Sequence, residues 1–301
     1  MEQLSKLRRE QLTFRAQLEN IFTLIALNLS IIFLAIGSLG NMHSPLFVLF
    51  SFVCICVHQH FLSEYLHEAT HWNLLENKFL NDFISVFLIG IPFGTIPSLN
   101  RSSHFEHHAQ QTFFTTKDVE GIRYKVYSKK SFVVKILSFI SGLKSIKFFL
   151  SAVLFSHKYP SSSTNNVSKF WLLTLVSSHL IIIFLGFTYG FFVFYIFYYL
   201  VLVFIYPLFA MFRFWGQHAH VSLNRPNMAF TFNSRVSRTN QGGIVDFLFF
   251  NSPIMSYHYA HHKYPNLHYR QLKQLSHFSE DPNKFGKGCL DIIFKVWNGL
   301  N

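Results

Sequence analysis

The 301-residue chain is poor in charged residues and in cysteine. Asp, Glu, Lys and Arg make up 13% of it, while 50% of the residues are hydrophobic. A soluble domain carries about 25% charged residues, so this shortage argues against an ordinary soluble domain and favours a protein embedded in a bilayer. The cysteines Cys54, Cys56 and Cys289 form no Cys-x-x-Cys pair, which argues against a disulfide framework and against a thiolate metal site.

Acidic residues are scarce as well. The chain has 14 Asp and Glu against 26 Lys and Arg, which gives a formal net charge of +12. In a soluble protein this balance would suggest a nucleic-acid partner. Here all 26 Lys and Arg lie outside two long uncharged runs, 20–63 and 170–212. We therefore interpret the positive charge as a sign of membrane topology and expect no nucleic-acid partner.

Each uncharged run is long enough for two membrane-spanning helices. One span needs about 20 residues, and each run contains a glycine-bounded break, Gly37–Asn41 in the first and Gly186–Gly190 in the second. The predicted fold class is therefore an all-α integral membrane protein with four transmembrane helices in two hairpins, forming a single domain over residues 1–301. The predicted spans are approximately 20–38, 45–65, 169–186 and 190–212.

The distribution of Lys and Arg predicts the orientation. Because positive residues concentrate on the cytoplasmic side, both termini and the segment between the hairpins are predicted to be cytoplasmic. The expected location is a bacterial inner membrane or the endoplasmic reticulum. A shorter apolar stretch, 83–99, contains two glycines and two prolines and is predicted to be re-entrant or interfacial.

Histidine is abundant and regularly spaced. The pattern His-x-x-His-His occurs at His104 and again at His258, and a His-x-x-x-His begins at His67. With 17 His in 301 residues, about 0.05 matches to His-x-x-His-His are expected by chance. The predicted cytoplasmic segments contain all three boxes, so we expect one site on one side of the membrane.

The spacing of the boxes suits a metal centre. On a helix, residues three and four positions apart share one face, so each box presents its imidazoles together. Eight imidazoles are twice the number that a tetrahedral zinc ion takes, which predicts two metal ions held by a cytoplasmic helical cap. Iron is favoured because a redox-active ion suits oxygen chemistry, although the nitrogen count alone leaves zinc and copper open.

A ninth ligand is predicted just beyond the fourth helix, at His218. His220 is instead expected to contact a ligand from outside the metal centre or to lie on the surface. His58 and His60 lie within the second span and are left out of the ligand set. The predicted ligands are His67, His71, His104, His107, His108, His218, His258, His261 and His262. Metal-bound imidazoles commonly donate their other N–H to a carboxylate. The candidates for that role are Glu68, Glu106, Asp118, Glu120 and Asp246.

These motifs resemble those of the membrane fatty acid desaturase superfamily, over about residues 65–275. The resemblance is carried by His67-Glu-Ala-Thr-His71 with Trp72-Asn-Leu and Asn81-Asp82, by His104-Phe-Glu-His-His108, by Gln217-His218, and by Tyr257-His-Tyr-Ala-His-His-Lys-Tyr-Pro265. It implies a di-iron centre, O2 as co-substrate, an acyl lipid substrate, and introduction of a C=C bond. It also implies an electron donor, cytochrome b5-like or ferredoxin-like, which we expect to be a separate protein because no His-Pro-Gly-Gly occurs.

The chain departs from the family pattern at two positions near the boxes. Gln217 stands where an acid is usual, and Ala260 stands where Glu is frequent. Neither departure removes one of the predicted ligands, although Gln217 puts the hydrogen-bonding environment of His218 in doubt.

Three other functions fit part of the pattern. A hydroxylase or ketolase of the same superfamily, acting on a lipid, sterol or carotenoid, would use the same boxes. His67-Glu68-Ala-Thr-His71 also matches His-Glu-x-x-His, the motif of zinc proteases, but an intramembrane protease would leave both His-x-x-His-His boxes unexplained. A membrane metal carrier or sensor would place its ligands along a path across the bilayer, whereas these boxes are predicted on one side.

Overall fold

The structure is a computed structural model that describes residues 12–109, 117–124, 129–142, 146, 165–222, 242–252, 254–276, 289, 293–294 and 297–298. All regular elements among these residues are helical. Four helical segments are long and apolar enough to cross a membrane: Phe14–Asn41, Pro45–Thr70, Lys169–Tyr189 and Phe192–His218. The predicted all-α fold with four spans is therefore confirmed. The mixed-charge residues 3–18 predict a short amphipathic helix that lies on the membrane surface or in solvent, and most of them lie outside the described ranges.

The helices are numbered in chain order. They are α1 (Phe14–Asn41), α2 (Pro45–Thr70), α3 (Lys78–Ser85), α4 (Ile91–Phe93), α5 (Pro97–His108), α6 (Val119–Tyr124), α7 (Lys129–Ile140), α8 (Asn165–Tyr189), α9 (Phe192–Phe204), α10 (Tyr206–Ser222), α11 (Ile244–Phe249), α12 (His258–Lys263) and α13 (Tyr269–Ser276). A π-helical turn, Val86–Gly90, joins α3 to α4.

The described residues group into two compact units. The hairpin unit comprises Thr13–Asn100 and Gly142–Pro207, and the histidine unit comprises Arg101–Ser141 and Leu208–Asn301, together with Leu12. Helices α5 and α10 each begin in the hairpin unit and end in the histidine unit. The second and third histidine boxes therefore belong to the histidine unit, and the first box belongs to the hairpin unit.

The spanning helices are longer than predicted. Helix α1 runs through Gly37 and Gly40 to Asn41, and α2 begins at Pro45 after Ser44, whose hydroxyl accepts a hydrogen bond from the Phe47 N–H. The glycines were predicted to end the span. In hydrocarbon, however, backbone groups must bond internally, and this requirement outweighs the low helix propensity of glycine. The second turn falls at Gly190, whose φ of 84° lies in the left-handed region that favours glycine.

The segment 78–108 is bent by 91° between Phe93 and Pro97. Within it, Pro92 has no N–H to bond the Leu88 carbonyl four residues earlier. The Asn28 side chain replaces that donor, with Nδ2 2.8 Å from the Leu88 oxygen. The Tyr199 hydroxyl likewise donates to the Ile91 oxygen at 2.9 Å. Neighbouring spans thus satisfy carbonyls that the broken helix leaves open, as an apolar environment requires. A re-entrant or interfacial position for this segment stays a prediction.

The surface of the hairpin unit is apolar. Leu46 is 79% exposed, Phe33 68% and Phe184 67%, although all three belong to helices that qualify as spans. Large exposed apolar side chains spread over several helices are uncommon on soluble proteins. They are the composition expected of a surface that contacts lipid.

The histidine unit has its own hydrophobic core around Trp215 of α10. The Trp215 ring stacks on Phe132 of α7 with 4.4 Å between centroids, and its indole N–H donates to the Tyr124 carbonyl at 2.7 Å. Phe139, Met211 and other apolar residues complete the cluster. This core holds α10 against α6 and α7, and α10 carries His218 three residues beyond Trp215.

Candidate metal centre

The second histidine box lies in the last two turns of α5. His104, His107 and His108 are all less than 10% exposed. The Nε2 atoms of His104 and His108, four residues apart on one face, are 3.0 Å from each other. The helical spacing thus turns two imidazoles toward a common point, as the sequence pattern predicts.

The third box forms the short helix α12. His258, His261 and His262 are 2–5% exposed. The Nε2 of His261 lies 3.1 Å from the Nε2 of His108, although the two residues are 153 positions apart in the chain. His104, His108 and His261 thereby form one group of imidazoles, whose ligand nitrogens all lie within 4.8 Å of one another.

A second group of imidazoles forms in the same unit. Ligand nitrogens of His107, His218 and His262 lie within 4.8 Å of one another. His258 joins this group, because its Nε2 is 2.9 Å from that of His218 and 3.1 Å from that of His262. The histidine unit therefore brings together seven of the nine predicted ligands in two adjoining groups.

His218 occupies a distorted position. Its φ of −124° and ψ of 23° interrupt the helical dihedrals of α10, which kinks at this residue. The sequence placed His218 beyond the fourth helix, and that placement is wrong, because the helical segment continues to Ser222. The preceding residue, Gln217, is buried, and its amide donates to the Asn251 side-chain oxygen at 3.4 Å. The amide thus ties α10 to the segment before the third box. The side chain of His220 lies outside the described residues.

The first box lies in the hairpin unit, at the end of α2 that is predicted to face the cytoplasm. His67 belongs to the last turn of the helix and His71 is its C-cap. The two rings are tilted toward each other with 5.0 Å between centroids, and His71 is 4% exposed. The box was predicted to follow the second helix. Instead, the helix extends five residues past its predicted end and includes His67.

Two of the five candidate carboxylates contact imidazoles of the second box. The Nδ1 of His107 lies 3.2 Å from both carboxylate oxygens of Asp118, which is fully buried. The Nδ1 of His104 lies 3.0 Å from Glu120 Oε2. Asp118 is held by the Gly121 N–H, 2.7 Å from its Oδ1. These contacts engage the Nδ1 of each ring, so that Nε2 is the nitrogen turned toward the other imidazoles, as carboxylates orient metal-bound histidines.

The other carboxylates act differently. Glu68 Oε1 is 3.8 Å from His67 Nδ1, beyond hydrogen-bond distance. Asp246 Oδ1 accepts from the Cys289 N–H at 2.7 Å, which gives it a structural role in the histidine unit. The role expected of Glu106 stays a prediction.

Burial and neighbouring charge set the protonation of the imidazoles. Burial alone would lower the pKa of His107, but Glu120 and Asp118 outweigh it and raise that pKa above its usual value. Burial and the surrounding histidines hold the pKa of His258 well below its usual value. His258 is therefore neutral at neutral pH, which is the form that binds metal ions.

The contacts among the imidazoles fit a bound cation better than hydrogen bonds. A neutral imidazole Nε2 carries either one proton or one lone pair. The Nε2 of His258 contacts two others, those of His218 and His262, and one nitrogen cannot serve both as ordinary hydrogen bonds. His108 stands in the same position between two imidazoles. Nitrogens that converge in this way match the ligand sets that imidazole-binding transition metals take.

Several buried polar residues of the spans were not assigned a role from the sequence. His58 Nδ1 is 3.0 Å from the Tyr198 hydroxyl, and the Gln59 amide donates to the Tyr198 carbonyl at 3.0 Å. His60 Nε2 lies 3.4 Å from Glu64 Oε1, and both side chains are at most 2% exposed. The i, i+4 spacing of His60 and Glu64 could have predicted their contact on one helix face. No local feature of the sequence indicated the contact between His58 and Tyr198, which are 140 residues apart.

Comparison with protein families adds an independent finding. A family model described as fatty acid desaturase matches residues 43–288, well over half of the chain and a range that includes all nine predicted ligands. No curated protein and no solved structure matches the chain.

Proposed function

Since the chain belongs to the fatty acid desaturase family, we propose that it is a membrane di-iron lipid desaturase, an oxidoreductase that introduces a C=C bond into an acyl chain. The observation that carries this proposal is the convergence of seven buried imidazoles in two adjoining groups in the histidine unit. A family that acts on lipids and a chain with four apolar spans are consistent with a substrate that resides in the bilayer.

The proposed ligand set contains all nine histidines predicted from the sequence. Seven of them are supported by their mutual distances in the histidine unit. His67 and His71 are added because they form the first of three boxes in the family's order, and because their rings already approach each other. Nine imidazoles would provide two iron ions with four or five nitrogen ligands each. Bound iron would supply the O2 activation that removes hydrogen from two neighbouring methylene groups.

The chain's own residues hold and shield that centre. Asp118 and Glu120 accept the Nδ1–H of His107 and His104 and thereby orient their Nε2 atoms. The burial of the boxes excludes water from the imidazole groups, which protects a reactive oxidant from side reactions. The overall reaction consumes one O2, two electrons and two protons per double bond and releases two waters. The electrons are proposed to come from a separate cytochrome b5-like or ferredoxin-like protein.

We also propose the orientation, with both termini and the metal centre on the cytoplasmic side of a bacterial inner membrane or the endoplasmic reticulum. The positions of all 26 Lys and Arg outside the two uncharged runs support it. Reporter fusions at residues 1 and 301 should both report the cytoplasm. A terminus reported on the opposite side would contradict the orientation. The proposal treats residues 1–301 as a single desaturase-like domain.

The reaction is tested by expression in a host that lacks the activity, followed by mass spectrometry of its lipids. New double bonds should appear with the wild-type chain and with His43→Ala, whose side chain is exposed in the turn before α2. They should be absent with His261→Ala, because His261 contacts His108 within the imidazole group. New hydroxyl or keto groups in place of double bonds would identify the hydroxylase or ketolase alternative. One zinc and no iron per chain would favour the protease alternative.

A further inference from the structure

The turn that follows the first histidine box has an unusual backbone. Helix α2 ends in a Schellman-type cap, in which the Trp72 N–H donates to the Ala69 carbonyl at 3.1 Å and the Asn73 N–H donates to the Glu68 carbonyl at 2.9 Å. Trp72 has a φ of 57°, a left-handed conformation that glycine usually occupies at this position. His71 immediately precedes it. The backbone at the first box is therefore strained and needs support from elsewhere.

The fully buried Asn81 of α3 provides that support. Its Nδ2 donates to the Ala69 carbonyl at 2.9 Å, so it bonds the same oxygen as the Trp72 N–H. Its Oδ1 accepts from the N–H groups of Leu74 and Leu75 at 3.2 and 3.3 Å. The Asn81 amide thus joins the last turn of α2, two residues before His71, to the loop that begins three residues after His71. Only a side chain with a donor and an acceptor on one short stem can make all of these bonds.

Two side chains of helix α1 also hydrogen-bond to the backbone of this loop. The Asn20 amide donates to the Leu74 carbonyl at 3.1 Å, and the Glu76 N–H donates to Gln17 Oε1 at 3.4 Å. Asn20 is also fully buried. Leu74 therefore has its N–H bonded to Asn81 and its carbonyl bonded to Asn20. The loop after the first box is held by side-chain amides from two helices.

We propose that Asn81 is a positioning residue for the first histidine box: it locks the strained cap at Ala69–Trp72 and so fixes His67 and His71 in a metal-binding orientation. The inference rests on the proposed function, because it takes these two histidines as metal ligands. Asn81 contacts the backbone that carries the ligands, whereas Asp118 and Glu120 contact the imidazoles themselves.

The test is a ferrous ion titration of the full chain in detergent, with unfolding temperature measured on the same samples. Asn81→Asp keeps the acceptor oxygen but loses the donor to Ala69, and Asn81→Ala loses both. We expect both variants to bind iron about tenfold more weakly than wild type. This is the smaller end of the affinity loss that follows when a residue that orients a metal ligand is replaced. When Co(II) replaces iron, the visible absorption spectrum of each Asn81 variant should differ from that of the Co(II)-loaded wild type. Loss of stability alone would not change that spectrum.

Asn77→Ala is the matched control. Asn77 is exposed and caps the same helix, α3, by accepting from the Leu80 N–H at 3.0 Å. It should lower the unfolding temperature without changing iron affinity or the Co(II) spectrum. Equal loss of iron from Asn77→Ala and Asn81→Ala would overturn the inference, as would wild-type affinity and spectrum in both Asn81 variants.

Two further variants complete the design. If the Asn81 variants do not fold, Asn20→Ala decides, because it removes the bond to the Leu74 carbonyl and leaves Asn81 in place; a smaller loss of iron affinity supports the inference, and wild-type affinity overturns it. His71→Ala separates this inference from the proposed function. Wild-type iron binding by His71→Ala would refute the proposed ligand set, whereas loss of iron from His71→Ala alone would refute only the role of Asn81.

Discussion

The histidine boxes in the two units are supported in different ways. In the histidine unit, Asp118 and Glu120 contact imidazole Nδ1 atoms at 3.0–3.2 Å. In the hairpin unit, the neutral amides of Asn20 and Asn81 hold the backbone next to His71. A buried carboxylate must be paired to be tolerated, as Asp118 is with His107, whereas a buried amide needs only hydrogen-bond partners. The histidine unit thus orients its imidazoles with charged partners, and the hairpin unit fixes the backbone at its box with neutral ones.

The largest effects should follow from removing one ligand in each unit. His108→Ala and His71→Ala should each abolish product formation and lower the iron content, because each removes an imidazole from the proposed set. Iron per chain by elemental analysis and double bonds by lipid mass spectrometry are the measurements. Full activity in His71→Ala alone would break the comparison, since the residue that the amides of the hairpin unit support would then not be a ligand. His43→Ala is the control.

A smaller effect is expected from Asp118→Asn, which keeps an acceptor for His107 but removes its charge. Iron affinity should fall about tenfold. In the metal-free protein, burial alone would lower the pKa of His107, but the charges of Glu120 and Asp118 raise it above its usual value. The stability that this raised pKa contributes is present below the unfolded-state value of about 6.5 and is lost as the pH rises through the folded-state pKa.

The thermal stability lost in metal-free Asp118→Asn should therefore be greatest at about pH 6, where a carboxylate and an imidazolium can coexist, and shrink toward alkaline pH. A loss that does not vary with pH would show that Asp118 supports the unit without pairing with a charged His107. In Asn81→Ala the loss should not shrink toward alkaline pH. The Asn81 amide bonds backbone groups of Ala69 and Leu74 and donates to Asp82 Oδ1 at 3.1 Å, and a rise in pH removes none of these acceptors or donors.

Trp215→Phe tests the hydrophobic core of the histidine unit. The substitution keeps a ring against Phe132 but removes the N–H that bonds the Tyr124 carbonyl at 2.7 Å. Leaving a buried carbonyl unsatisfied should lower the free energy of unfolding by about 1–3 kcal/mol. Trp297→Phe, at a partly buried ring on the same cluster, should cost less. Equal denaturation midpoints for the two variants would contradict the role given to the indole N–H.

The smallest effect should come from the polar contact inside the spans. Tyr198→Phe removes the hydroxyl next to His58 Nδ1, and hydrogen bonds between membrane helices contribute on average about 0.6 kcal/mol. The unfolding midpoint in detergent should shift slightly, with iron content and product unchanged. Tyr189→Phe, whose side chain is 66% exposed, should show no shift. Loss of iron from Tyr198→Phe would give this contact a part in the metal centre.

The features that were predictable from the sequence are those with a local or compositional basis. Two uncharged runs of more than forty residues predicted four spans, and the described part of the chain contains four candidate spans. The ends of the spans were less predictable. Gly37 and Gly40 lie inside α1, and α2 includes His67, because hydrogen bonding within the bilayer overrides local propensity.

The partners around the histidines could not be read from spacing. Helical periodicity places His104 beside His108, but the grouping of these two with His261 joins residues more than 150 positions apart. Five acids were equally plausible partners for imidazoles, and spacing did not indicate that Asp118 and Glu120 would contact the second box. Asn81 was part of the motif that carried the family resemblance, yet nothing local revealed that its amide bonds the cap of another helix.

The sequence by itself determined the chemistry available to this protein: three histidine boxes, an apolar chain with four spans, and a charge distribution that predicts the cytoplasmic side. These depend on residue type and local spacing, which survive without a fold. The tertiary structure alone decided which imidazoles share a group, which carboxylates orient them, and how amides hold the turn after His71. Those outcomes depend on long-range packing and on the need of every buried polar group for a partner, and neither is encoded within a single helix.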